Sequence, residues 1–173
     1  MASTLRFDNW EDSNGTPILD GTNLVLPSSA LPAGSVLQVV STTKTDIFST
    51  SSTSFVDVTG LSVSVTPSST NSKILVLVSV KIGGVTPLVQ LVRNSTVLAN
   101  NTDIANPSFG MASTSYPAQP HDMSLIYLDS PNNTSATTYN VQMKGADTVY
   151  VNRRGNDSSY GGSSSITIME IAG

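Results

Sequence analysis

Cysteine is absent from the 173 residues, and histidine occurs once, at His121. The first absence removes disulfides, thiolate nucleophiles and Cys-based zinc sites together. The second removes a multi-His metal centre within one chain. Charge is scarce too. Asp, Glu, Lys and Arg make up 12% of the chain, about half the share usual in globular domains. Acids outnumber bases 12 to 8, for a formal net charge of −4. That argues against a nucleic-acid binder, because phosphate contact needs a clustered basic surface. Long apolar runs are missing as well. The most apolar stretch, Lys73 to Ile82, is too short to cross a bilayer as a helix. The opening Met1-Ala-Ser-Thr-Leu-Arg-Phe-Asp-Asn-Trp10 has no signal-type apolar segment. No membrane insertion is expected, and synthesis in a cytoplasm is.

Serine and threonine are abundant, at 48 residues together, and valine follows with 18. With Lys and Glu so few, this composition suits strands and turns better than helices. The chain divides near Gly34. Residues 1–33 carry turn formers every few positions (Asn14-Gly15, Pro17, Asp20-Gly21, Pro27, Pro32), which leaves no room for a long helix or strand. Their apolar residues, Leu5, Phe7, Trp10, Ile18 and Leu19 among them, are too sparse for a core and too many for a solvated tail. An extended arm that docks onto another body is expected, with those five residues as its anchors.

Residues 34–173 read as short strands with tight connections. Leu61-Ser-Val-Ser-Val-Thr66 alternates with period two, as a sheet with one wet face does. Lys73 to Ile82 scarcely alternates, which predicts burial on both faces, one against a partner sheet and one against another body. Leu88 to Leu98 reads as a hairpin turning at Asn94-Ser95. Met123–Leu128, Thr137–Met143, Thr148–Asn152 and Ser164–Ile171 supply further strands. Eight to ten strands without a convincing helix predict an all-β, antiparallel two-sheet sandwich of jelly-roll type.

Several segments together resemble a known group. Thr59-Gly-Leu-Ser-Val-Ser-Val-Thr-Pro-Ser-Ser-Thr-Asn-Ser-Lys-Ile-Leu-Val-Leu-Val-Ser-Val80 looks like the start of a domain found in bacteriophage fibre and virion structural proteins. Tyr127 to Gln142, Val149-Tyr-Val-Asn-Arg153 and Ser165 to Ile171 follow in that group's order. The resemblance covers residues 34–173. It implies a homotrimeric jelly roll of the tumour-necrosis-factor and complement-head type, whose terminal strand lies near a threefold axis, here through Ile166, Ile168 and Ile171. It also implies a place in the virion, after synthesis in the host bacterial cytoplasm. The long repetitive shaft of a tail fibre is missing. A short head fibre, capsid decoration or tail-associated appendage is therefore expected, held to another virion protein by the arm.

No catalytic motif stands out. His121 precedes Asp122, but no Gly-x-Ser-x-Gly elbow accompanies them. The acids are scattered singly and mostly fall in turns, with Glu170 the exception inside an apolar strand. No enzyme, cofactor or metal is expected. The loop Asn152 to Gly162 mixes Arg153, Arg154, Asp157 and Tyr160 with three glycines, a composition suited to adaptable polar contacts. The alternative function is therefore a host-glycan-binding module gripping a surface sugar through Arg153, Arg154 and Tyr160. The loop 99–120, with Phe109, Met111 and Tyr116, is a second candidate for such contacts.

Overall fold

The structure, a computed structural model, describes residues 19–20, 23–24, 31–99, 110–111 and 119–173. Thirteen strand segments are found among them. They are β1 (Leu19–Asp20), β2 (Asn23–Leu24), β3 (Val36–Lys44), β4 (Phe48–Thr50), β5 (Val56–Val65), β6 (Lys73–Gly83) and β7 (Leu88–Arg93). After these come β8 (Thr96–Leu98), β9 (Gly110–Met111), β10 (His121–Asp129), β11 (Thr137–Lys144), β12 (Val149–Val151) and β13 (Ser164–Ile171). No helix occurs among the described residues. The strands form two antiparallel sheets besides the small β1–β2 ladder, as a sandwich requires.

In the first sheet β6 lies between β10 and β13, and β3 flanks β13. Past the end of β13, β12 continues alongside β6 and carries β4 on its outer edge. The second sheet runs β5-β11-β7, with β8 and β9 sharing the far edge of β7. Period-two alternation produces the core. Leu61, Val63 and Val65 of β5 point inward and are buried, while Ser62 and Ser64 face water. From the first sheet, Ile74, Val76, Val78, Val80 and Ile82 of β6 and Ile166 and Ile168 of β13 meet them. Tyr139, Val141 and Met143 of β11 complete the layer. β-Branched residues dominate because they pack well on a pleated surface.

The strands run between two poles. At one, the chain enters the sandwich: Gly34 N donates to Ala172 O (2.7 Å) and Ala172 N to Ser35 O (2.8 Å), so β3 begins where β13 ends. The turns 66–72 and 130–136 lie at this pole, as the registers Val65–Thr137 and Ile74–Asp129 require. The other pole holds the turns 45–47, 84–87 and 145–148 and the loop from Asn152 to Ser163. Gly84 there has φ +104°, and a Cβ on it would lie 2.8 Å from Thr148 O, so the turn after β6 needs glycine.

The expected strands are present with changes: the first, expected at 36–41, runs on to Lys44 as β3, β10 begins at His121, and the short β1, β2, β4 and β9 are additional. Of the arm residues, Leu5, Phe7, Trp10 and Ile18 lie outside the described residues, and Leu19 is placed only as backbone in β1.

Candidate functional site

The outward face of the first sheet is the feature that a single chain leaves unexplained. Registers align its side chains in rows across four strands. Val39, Met169, Leu75 and Leu128 form one row. Ser41, Thr167, Leu77 and Ile126 form the next, and Thr43, Ser165, Ser79 and Ser124 the third. Val36 and Ile171 flank the first row on the chain-entry side. The face grades from apolar at the entry pole to hydroxyl-rich, and then to the Lys81–Asp122 ion pair at the far pole. Exposure is high where a globular surface is normally polar: Val36 52%, Val39 55%, Ile126 72% and Leu128 57%. An open groove on this face is lined by Leu77, Ile126, Thr167 and Met169.

One expectation changes at this point. Ile166 and Ile168 do not reach an outer surface, because their side chains are buried in the intersheet core. Ile171 lies on the opposite parity, half-buried and facing outward with Met169. A strand's period of two cannot put all three on one face. Strand β6 is fully buried on its inner face only. Outward, Leu75 and Leu77 are half-covered and Ser79 is exposed. The doubly apolar runs that signal the face are Leu75 and Leu77 in β6, Ile126 and Leu128 in β10, and Met169 and Ile171 in β13. The sequence reading used that signal for β6 alone.

Polar networks close both ends of the core. At the entry pole the Glu170 carboxylate is 1% exposed. It accepts from Gln38 Nε2 (2.5 Å), Ser68 N (2.7 Å) and Ser68 Oγ (2.7 Å). Burial pushes its pKa up, but these donors pull harder, and the balance lies below the ordinary value. Beside it, Arg93 donates to both oxygens of buried Asp129 (2.9 and 2.8 Å), and Tyr139 Oη donates to Asp129 Oδ2 (2.7 Å). Burial first, and that carboxylate second, hold the Tyr139 hydroxyl far above its usual titration range. At the far pole buried Asn152, at φ +63°, donates from Nδ2 to the carbonyls of Lys44 and Asp46 (both 2.9 Å). Its Oδ1 accepts from Ser164 Oγ (2.6 Å).

These arrangements tie the ends of the core together. His121 and Asp122 are neighbours on a strand, so they face opposite sides of the sheet, and Asp122 pairs with Lys81. Glu170 is saturated by donors. Among the described residues no three His, Asp or Glu groups gather as a metal site would require.

Arg153, Arg154 and Tyr160 all lie in the loop between β12 and β13; Arg154 packs against the Tyr160 ring, and Arg153 against the Tyr150 ring of β12. Arg154 reaches Asp157 at two points, Nε to Oδ1 (2.8 Å) and Nη2 to Oδ2 (2.5 Å). That guanidinium, followed by the Ser159 N–H, holds the Asp157 carboxyl well below the ordinary range. Of the second candidate loop, Phe109 and Tyr116 lie outside the described residues, and Met111 is placed only in the backbone of β9. No family model matches the chain, and no curated protein matches it.

Proposed function

We propose that the chain is a bacteriophage virion structural protein, a homotrimer whose β body projects from the particle and whose residues 1–33 anchor it to another virion protein. The observation that carries this reading is the exposed apolar face of β3, β13, β6 and β10. Contiguous apolar surface on a soluble domain marks an interface. Four strands about 4.8 Å apart and some eight residues long at ~3.3 Å each give a face of roughly 500 Å². Around a threefold axis each copy divides this face between two neighbours, so three copies together bury about 1,500 Å². The face carries little charge: Lys81 is paired with Asp122, and Lys73, at the entry edge, keeps its charge while donating to Ser130 Oγ.

The strand order supports the finer fold reading. Strands β3, β13, β6 and β10 in one sheet and β5, β11, β7 and β8 in the other are in keeping with a jelly roll, in which most connections cross from sheet to sheet. Three copies around an axis close the contact, so no apolar face is left over to nucleate a filament. The virion assignment draws on the ordered resemblance of residues 59–80, 127–142, 149–153 and 165–171 to phage fibre and appendage domains. A short head fibre or decoration suits a β body preceded by an arm.

Light scattering on the full chain tests the assembly. The expected native mass is three times the 18.1 kDa of one chain. Ile126→Lys and Leu128→Lys, both at exposed positions, should lower it to the single-chain mass with an unchanged circular dichroism spectrum. A wild-type chain that stays monomeric at high micromolar concentration overturns the trimer. Peptide mass spectrometry and antibody labelling of purified particles test the location, and absence of the chain from them overturns the virion role.

A further inference from the structure

The loop between β12 and β13 is braced from within. Arg154 N donates to Tyr160 O (3.1 Å), Arg153 pairs with Gly161 in an isolated bridge, and Arg153 Nε donates to the carbonyls of Arg154 (3.1 Å) and Asp157 (3.2 Å). Ser159 N donates to Asp157 Oδ1 (2.8 Å). A loop held this way loses little further freedom when it binds something. Its aromatic ring is held too. The Arg154 guanidinium, fixed by Asp157, sits 4.4 Å from the Tyr160 ring centre. It covers one face of a side chain that remains 62% exposed. The partner cation is committed elsewhere: Arg153 lies 4.0 Å over the Tyr150 ring and meets no carboxylate among the described residues. Five basic residues lie at or beside this pole with as many acids, and Lys44, Lys81 and Arg154 pair with Asp46, Asp122 and Asp157.

We propose that this loop is a binding site for an anionic saccharide. The apolar C–H face of one pyranose stacks on the open side of Tyr160. A carboxylate or sulfate of the same or the next sugar meets the Arg153 guanidinium, which the bridge to Gly161 keeps one residue from Tyr160 along the chain. The uncompensated Arg153 selects an anion, and the single flat ring selects a partner with a flat apolar face. A nucleic-acid strand offers similar chemistry, but its regular phosphate charge is repelled by the acidic remainder of the chain. The site needs neither the trimer nor the particle, so the two readings stand or fall separately.

The full chain applied to an array of uronate-, sialic-acid- and sulfate-bearing oligosaccharides beside neutral ones gives the first readout. Titration with trigalacturonate, maltotriose and an oligothymidylate of matched charge gives the second. Retention of anionic sugars is expected over neutral ones. Tyr160→Ala and Arg153→Gln, each with unchanged native mass and circular dichroism, should weaken that binding roughly tenfold. Arg153→Lys should recover part of it. No retention of any anionic saccharide, retention indifferent to both substitutions, or tighter binding of the oligothymidylate each overturns the proposal.

Discussion

Single residues matter most where polar groups are shut inside the sandwich. Glu170 is the clearest example, a carboxylate fully enclosed among three donors. Its folded pKa lies below its ordinary value of 4.5. It therefore contributes stability that is complete above that value and is lost as pH falls through the folded one. Urea midpoints followed from neutrality to about pH 3 should decline below the Glu range near 4.3. Glu170→Gln should flatten that decline and cost about 1–3 kcal/mol at neutral pH, because its amide turns a donor toward donors. Equal acid slopes for the two proteins would remove Glu170 from this role. The sequence shows Glu170 only as an acid out of place in an apolar strand. Its partners Gln38 and Ser68 are 132 and 102 residues away in the chain, and no local pattern connects them. Asn152 was equally hidden: a buried amide that bonds two carbonyls across the chain looks like any loop Asn in sequence.

Elements were more legible, because alternation is a local property. Strands β5, β11 and β13 follow directly from Leu61-Ser-Val-Ser-Val, Thr137-Thr-Tyr-Asn-Val and Ser164-Ser-Ile-Thr-Ile. Alternation says which residues share a face, but not which face is inside. That is why Ile166 and Ile168 were expected at an axis and lie in the core. β4 escaped notice because Phe48-Ser-Thr50 is too short to show a period, and it is a strand only because β12 pairs with it. Strand β13 offers a separation of roles at adjacent positions. Ile168→Ala, in the core, should lower the unfolding free energy by about 2–5 kcal/mol. Met169→Ala, on the outer face, should change it by well under half that in the isolated chain and instead weaken self-association. Denaturant melts and native mass measured on both variants check this. Similar stability losses from the two would mean that the faces of β13 are not divided as described.

For the whole molecule, the fold class was written in composition: many β-branched residues, few helix formers and frequent turn residues. The exposed apolar face was not, because it exists only once the packed sheets bring distant segments together. The face assembles from β3 and β13, whose paired residues Val39 and Met169 lie far apart in sequence. The two poles carry a last consequence. The chain enters at the start of β3, while the Arg–Tyr loop leads into the start of β13 at the opposite end. Tension between an anchored arm and a held loop thus pulls these antiparallel neighbours past each other along their length. Interstrand hydrogen bonds lie across the strands, so the ladder from Val36–Ile171 to Lys44–Ser164 is loaded in shear, all at once. In force spectroscopy, the sandwich pulled between residue 31 and residue 160 should rupture at higher force than when pulled between residues 31 and 173, where the same ladder peels open bond by bond. Under the proposed anchoring, a body with this wiring resists tension between arm and loop best along its strands.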